Sequence, residues 1–459
     1  MIQNRKEAKE QIDTLLIEAG AGNGLEEQNT NGSWLATIHP PLGLTYIGTF
    51  LRQAGFTVSG IDLHGVDTYF DLKKALRLNP RVIGISFPTE GYKYAKEIIE
   101  IVRRESSDSF IVLGGAHASF QIEETLLDMQ PDAIIPWEGE LVMVDLVKAI
   151  KKGDSVDLIA GIKTHTNTYR KGKFIADLDQ LPIADRSVFN DYKYAFCDSK
   201  RRDRVFLLHA VRGCPMNCKF CVASAKRRHL PLRTRSNSSL ISEILWMKKR
   251  YNISGFFISD ELFVLNQLKV VDFCNQLEML GKMPWGCEIR VDRITENTLK
   301  CMAKSGCRHV QIGIEAGDNN SLKEIGKNTR VEQVLRVAQW CKNLGIRVVG
   351  GMILGLPIDS YESMQQKILF AKKLTDLDVF VGCSFLTPFP GTEYYSKRES
   401  FGINIENDDW SEFRFDNCVI STNQFAHREL IEYWNEFNKF LIQRRNINSL
   451  LKAIEQLQV

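Results

Sequence analysis

The sequence predicts an α/β protein: an N-terminal doubly wound parallel sheet, then a parallel (β/α)6 partial barrel, then a short helical C-terminal region. Three observations predict it. Short apolar runs alternate with stretches of helical spacing over residues 1–152, the pattern of consecutive βα units in one parallel sheet. The alternation lapses over residues 153–200 and returns over 201–395 in longer units, as a parallel barrel requires. Residues 396–459 close on RELIEYWNEFNKFLIQRRNINSLLKAIEQL, which reads as helix. At 459 residues the chain exceeds one ordinary core, so several domains are expected.

The elements follow in order. DTLLIEA suits a buried parallel strand and leads into a loop rich in Gly and Asn. PLGLTYIGTFLRQAG has helical spacing, with Pro41 near its start and Gly55 as its stop. TVSGIDL, RVIGISF, FIVLGGA and DAIIPW read as strands. YFDLKKALRLN, EGYKYAKEIIEIVRRE, IEETLLDMQ and ELVMVDLVKAIKKG read as the helices between and after them. Residues 153–200 read as a linker subdomain with a turn at Arg170–Lys173. In the second run FLLHAV, GFFISD, WGCEIRV, HVQIGIEA, RVVGGMIL and VFVGCSFL are the strands. Segments such as SSLISEILWMKKRY and VEQVLRVAQWCKNLG are helices between them. The C-terminal ends of barrel strands are where catalytic groups gather.

Composition narrows the class. Hydrophobic residues make up 44% and charged residues 25%, as in a soluble globular protein, and a net charge of +3 calls for no nucleic-acid partner. MIQNRKEAKEQID lacks an apolar run, so no signal peptide is expected, and no window reaches the roughly 18 apolar residues of a membrane span. Eleven cysteines, an odd number spread through a large chain, point to reduced thiols in the cytoplasm. Eight of them (Cys197, Cys274, Cys287, Cys301, Cys307, Cys341, Cys383, Cys418) form no second tight cluster and read as small core hydrophobes.

The other three stand together in VRGCPMNCKFCVASAKRR. Cys214, Cys218 and Cys221 have C-x3-C-x2-C spacing, directly after the first strand of the second run. Three thiolates can hold three irons of a [4Fe–4S] cluster and leave the fourth iron open for chemistry. The competing reading is structural zinc, with His209 or His229 as fourth ligand; such sites usually close with a second paired half, and neither histidine is so placed. The basic run AKRRHLPLRTRS behind the loop reads as a solvated face, or as an anchor for a cofactor or an acidic reductase.

The loop, with aromatic Phe220 before its last cysteine, resembles the radical SAM signature, and supporting motifs recur downstream over residues 200–395. The resemblance implies that Cys214, Cys218 and Cys221 are cluster ligands, and that the open iron chelates S-adenosylmethionine (SAM), whose reductive cleavage yields a 5′-deoxyadenosyl radical. It places Ser259, Asp260 and Glu261 at the SAM ammonium, and Arg290 at SAM or substrate. It also places Glu315 and Gly317 of GIEAG near the SAM ribose, and Gly350–Pro357 along the adenine. An internal Glu315–Arg290 ion pair is the plainer alternative. LTPFPGTEYY resembles the family's sixth-strand ending.

EAGAGNG does not fit a dinucleotide fingerprint: Gly20, Gly22 and Gly24 miss the spacing and a long polar loop follows. The first 150 residues instead resemble the Rossmann-like cobalamin-binding domain that precedes some radical SAM barrels, through HPPLGLTYIGTFLRQAG, ISFPT, LGGAHAS and PWEGE. The resemblance implies that Gly114 and Gly115 admit the cobalamin tail, that Ser86 and Thr89 hydrogen-bond it, and that Glu138, Gly139 and Glu140 close the fifth loop. The D-x-H-x-x-G motif is not met by DLHGVD, where Asp67 replaces Gly and the motif follows the second strand instead of the first. The resemblance therefore implies a base-off cobalamin without a histidine ligand, with His64 and His117 as the alternative axial ligands and a surface or loop position as their plainer reading. With both cofactors the expected reaction is hydrogen abstraction followed by methyl transfer from methylcobalamin to an unactivated carbon. A non-methylating cyclisation, hydroxylation or dehydration, with or without cobalamin, is the alternative. The expected partners are a small-molecule substrate (secondary metabolite or lipid-like intermediate) and a flavodoxin or ferredoxin-type electron donor. Trp410, Phe413, Phe415 and Trp434 are candidates for a pocket wall or for helix packing, with packing favoured.

Overall fold

The computed structural model describes residues 11–20, 41–63, 68–189, 205–226, 229–260 and 262–457. The chain divides into two compact units, Met1–Arg202 and Asp203–Val459.

The first unit is built on five parallel strands, β1 (Thr14–Glu18), β2 (Val58–Asp62), β3 (Val82–Ser86), β4 (Phe110–Gly114) and β5 (Ala133–Ile134), in the order β2-β1-β3-β4-β5. Successive side chains go to opposite faces, and both faces are apolar. Leu15, Ile17, Ile83, Ile85, Ile111 and Leu113 enter one core, while Leu16, Val82, Val112 and Ala133 enter the other. Helices Thr68–Leu76, Tyr92–Glu105 and Ile122–Met129 cover the first face; Leu42–Gln53 and Glu140–Lys152 cover the second. That is why the strands read as unbroken apolar runs. The order reverses between β1 and β3, which opens a crevice at the strand C-termini.

β5 is shorter than DAIIPW suggested, because Ile134 also pairs antiparallel with Lys163 and so closes the sheet edge. Residues 153–189 thus pack as part of this unit, with Val188 and Phe189 in its second core and Arg52 paired to Asp185 at 2.6 Å.

The second unit carries six parallel strands: β6 (Val205–Leu208), β9 (Gly255–Ile258), β10 (Trp285–Ile289), β11 (Cys307–Glu315), β12 (Arg347–Leu354) and β13 (Phe380–Phe385). They lie side by side in chain order, and β6 does not pair with β13, so the barrel is partial. FLLHAV breaks after Leu208; beyond the break, β7 (Val211–Arg212) pairs antiparallel with β8 (Arg233–Thr234). The C-terminal region adds an antiparallel pair, β14 (Ile403–Ile405) with β15 (Ile420–Thr422), before the long helix His427–Leu457. That helix docks on β13: Trp434 stacks on Phe385 and donates to the Cys383 carbonyl at 3.3 Å. No described helix is long and apolar enough to cross a membrane.

Candidate cofactor sites

The cysteine loop runs from β7 to the short helix Val222–Lys226 and is held from three sides. Its start hangs on Asp260, fully buried at the end of β9. One carboxylate oxygen accepts the Ala210 and Val211 N–H groups at 2.7 and 2.9 Å, and the other lies 3.1 Å from His209 Nδ1. Its middle rests on the turn after helix Asn319–Glu324. Lys219 N–H donates to the Ile325 carbonyl at 3.0 Å, and the Cys218 thiol lies 3.9 Å from the Gly326 carbonyl. Gly326, at φ +74°, comes so close that a Cβ there would lie 2.4 Å from the Asn217 carbonyl oxygen. From the third side, Tyr394 N–H donates to the Lys219 carbonyl at 3.2 Å.

The three thiols are near enough to sense each other's charge. Burial pushes the Cys221 thiol up to about 11, the Cys218 and Cys214 thiols add to this, and the Ser224 and Ala223 N–H groups oppose it. Among the described residues no three His, Cys, Asp or Glu side chains converge on one metal-ion position.

Two cations face Cys218. Arg290 follows β10 directly and chelates Asp292 (Nε to Oδ1 3.0 Å, Nη2 to Oδ2 3.2 Å) while donating to the Lys327 carbonyl at 2.7 Å. Burial works against its charge, but Asp292 and the nearby Cys218 thiol more than offset this and hold its pKa above the usual value. Lys327 lies in the turn beside Gly326 with its Nζ 2.8 Å from Glu315 Oε1. Burial disfavours this ammonium too, and Glu315 and Cys218 restore it. Glu315, at φ +63°, ends β11, and the pair lies over Gly313, where a Cβ would come within 2.2 Å of Glu315 Oε1. The alternative pairing of Glu315 with Arg290 is thus corrected: each carboxylate and cation has another partner.

Other expectations meet a filled position. Asp260, expected at the SAM ammonium, has both oxygens engaged by the protein itself, and Ser259 beside it is half-buried; Glu261 lies outside the described residues. Gly317 is bare because helix Tyr361–Asp376 runs past it, leaving only 2.7 Å between a would-be Cβ and Lys367 N. Gly350–Pro357 is fixed from behind by Asp359, which accepts the Gly355 and Leu356 N–H groups and pairs with Lys367, both side chains fully buried. Phe220 packs against the apolar cluster that holds Ile353 and Tyr394. In the basic run, Arg233 and Arg235 are buried, Arg235 against Glu243 at 2.6 Å, which corrects the solvated-face reading for these two. Phe413 and Trp434 pack inside as favoured, while Phe415 stands exposed against Phe389.

At the crevice of the first unit, Ser86 and Gly114 sit next to each other in register at the ends of β3 and β4. A Cβ on Gly114 would meet nothing closer than the Ile135 carbonyl at 3.4 Å, so that edge is open. Gly115 differs: at φ +97° it gives room to the Phe87 backbone, 2.5 Å from a would-be Cβ, and so serves the chain's own loop crossing. His117 is buried beside Phe87 and Tyr92 with Nδ1 3.3 Å from the Thr89 hydroxyl, and burial lowers its pKa to about 4. His64 lies outside the described residues. Glu138 accepts the Ile175 N–H at 3.2 Å, and Gly139 precedes helix Glu140–Lys152, whose first residue, Glu140, is buried.

Residues 209–371 match the Radical SAM superfamily and residues 32–147 the B12 binding domain. An uncharacterized methyltransferase of Pyrococcus horikoshii is 30% identical over 409 residues, covering 86% of this chain and 86% of that protein. The chain belongs to the cobalamin-dependent radical SAM enzymes. An anaerobic magnesium-protoporphyrin IX monomethyl ester cyclase of Rubrivivax gelatinosus is 26% identical, covering 91% of this chain and 76% of that protein. Among solved structures, the radical S-adenosylmethionine methyltransferase TsrM of Kitasatospora setae, with cobalamin and a [4Fe–4S] cluster bound, matches with a TM-score of 0.70 at 16% identity. The match covers 95% of this chain and 89% of that one and is a likeness of fold.

The cofactors of this cobalamin-dependent radical SAM enzyme are a [4Fe–4S] cluster, SAM and cobalamin. The residues present fit them. Three mutually interacting thiols in one loop suit a cluster with an open iron, and the small residues at the β3 and β4 ends leave the crevice open for a corrinoid. Lys327, Asp292 and Gly326 were not legible as site residues. Gly326 and Lys327 stand in a turn that folds back on the cysteine loop over 108 residues of chain, and Asp292 acts only through Arg290; no local spacing marks either.

Proposed function

We propose that the enzyme transfers a methyl group to an unactivated carbon of a small-molecule substrate. The observation that carries this reading is the 30% identity to the P. horikoshii methyltransferase across both domains. When bound, the cluster with SAM supplies a hydrogen-abstracting 5′-deoxyadenosyl radical and cobalamin supplies a transferable methyl group. The chain's own part is to hold and screen. Cys214, Cys218 and Cys221 would bind the cluster. Asp260 fixes the path of their loop, and Arg290 and Lys327 balance thiolate charge at its buried face. Ser86, Thr89 and Gly114 would line the corrinoid edge in the other unit. The electron donor would be a flavodoxin or ferredoxin-type protein, in a reducing cytoplasm.

A second reading is favoured by the 26% identity to the R. gelatinosus cyclase: the same cofactors performing a radical reaction without methyl transfer. Products separate the two. Anaerobically purified enzyme, loaded with cobalamin and reduced with dithionite, is incubated with SAM. S-adenosylhomocysteine forming alongside 5′-deoxyadenosine supports methyl transfer. 5′-Deoxyadenosine without S-adenosylhomocysteine rejects it in favour of the second reading.

A further inference from the structure

The surroundings of Cys218 and Cys221 differ. Cys221 has backbone N–H groups of Ala223 and Ser224 as its polar company. Cys218 has two cations. Arg290 donates to the carbonyl of Lys327, and Lys327 follows Gly326, whose own carbonyl lies 3.9 Å from the Cys218 sulfur, so both positive charges stand beside that thiol. Both are locked in place. Asp292 chelates Arg290 through two hydrogen bonds, and the third ties Arg290 to the Lys327 carbonyl. The Lys327 side chain is held over the bare backbone of Gly313 by Glu315. The backbone on either side is locked as well: Ile325 accepts from Lys219, and Gly326 abuts Asn217 and the Cys218 thiol.

Hydrogen bonds and positive charge at a cluster sulfur stabilise the reduced, more negative cluster and raise its reduction potential. A partly desolvated position strengthens such effects. We propose that Arg290 and Lys327 form a cationic clamp on Cys218 that sets the potential of the [4Fe–4S] cluster, with Glu315 trimming the clamp's net charge. Arg290, Lys327, Asp292 and Glu315 are positioning and tuning residues here; none needs to touch SAM. The proposal rests on the reading of Cys214, Cys218 and Cys221 as cluster ligands.

The two acid–base partners give opposite signs, and that makes the test sharp. Lys327→Gln removes a positive charge and should lower the midpoint potential by about 59 mV, the one-electron equivalent of a tenfold change. Glu315→Gln removes the compensating negative charge, leaves the ammonium facing Cys218, and should raise the midpoint. Lys327→Arg should stay near the wild-type value. The measurement is an EPR-monitored redox titration of full-length protein reconstituted with iron and sulfide, without SAM, alongside iron and sulfide content.

Opposite shifts at unchanged iron content support the clamp. Equal potentials in all variants at unchanged iron content, or shifts of the same sign, overturn it. Where Lys327→Gln holds no cluster, the Glu315→Gln titration decides alone: a raised midpoint supports the clamp and an unmoved or lowered one overturns it. Wild-type protein that takes up no iron and sulfide instead refutes the cluster reading on which the clamp stands.

Discussion

His117 lies inside the first unit, its ring beside Phe87 and Tyr92, and burial lowers its pKa to about 4 against 6.5 for an ordinary imidazole. Between those two values the unfolded chain binds the extra proton and the folded one does not. Stability from this group is therefore complete above about pH 6.5 and declines as pH falls toward 4. The full effect is at most about 3 kcal/mol. Urea midpoints of the first unit should fall over that window, and His117→Asn should flatten the fall. His309 in the second unit is lowered to about 4 in the same way, by burial and then by Arg347, so the two units need separate probes. At this scale the sequence located residues better than it assigned roles. Asp260 stands at the end of β9 as expected, yet its oxygens receive Ala210 and Val211 N–H groups. Asp260→Ala would leave two buried donors without their acceptor, at about 1–3 kcal/mol each. Lower thermal stability of the iron-free protein, together with reduced iron uptake, would show that this carboxylate shapes the loop.

Among the elements, β12 shows what positions a strand end. Its glycine-bearing segment was readable, because RVVGGMIL is a buried run that stops at a Gly and a Pro. The device beneath it was not. Asp359 caps the Gly355 and Leu356 N–H groups, and Lys367, two turns into the next helix, neutralises it while donating to the Ile353 carbonyl at 2.8 Å. A lysine on a helix is ordinarily solvated, so nothing in the local pattern marks this one as fully buried. Lys367→Met would leave Asp359 charged and unpaired in the interior, a loss of about 3–5 kcal/mol. Denaturant unfolding of the second unit should show it. Trp434→Ala, by contrast, would remove a stacking contact and a single hydrogen bond to Cys383, and should cost less. β5 was over-read for a similar reason: the apolar run DAIIPW continues past Ile134, but the ladder ends where Lys163 takes the edge.

For the whole molecule, the two runs of alternation were legible because a parallel sheet covered on both faces, or on its outer face, forces period and spacing on the chain. The contacts that complete each site come from distant turns and were not. The cysteines show both sides of this. Cys214, Cys218 and Cys221 declare themselves by spacing. Cys274, Cys287, Cys307 and Cys341 gather in the core of the second unit, where burial raises the Cys274 and Cys341 thiols to about 12 and pushes the Cys287 thiol well up. Cys274, Cys287 and Cys341 remain protonated and inert, as buried core thiols should. The division of labour between units gives the last prediction. With Cys214, Cys218 and Cys221 proposed as cluster ligands in the second unit and Ser86 and Gly114 as the corrinoid edge in the first, each cofactor should depend on its own set of side chains. A combined Cys214→Ala, Cys218→Ala and Cys221→Ala variant should lose bound iron and sulfide while still binding cobalamin, read from the corrinoid absorption that stays with the protein. Blocking the crevice with Gly114→Val should do the reverse, leaving iron content unchanged and weakening cobalamin binding by at least tenfold. Iron retained by the triple variant would remove the cysteine loop from the cluster, and cobalamin lost with it would show that the corrinoid site is not carried by the first unit alone.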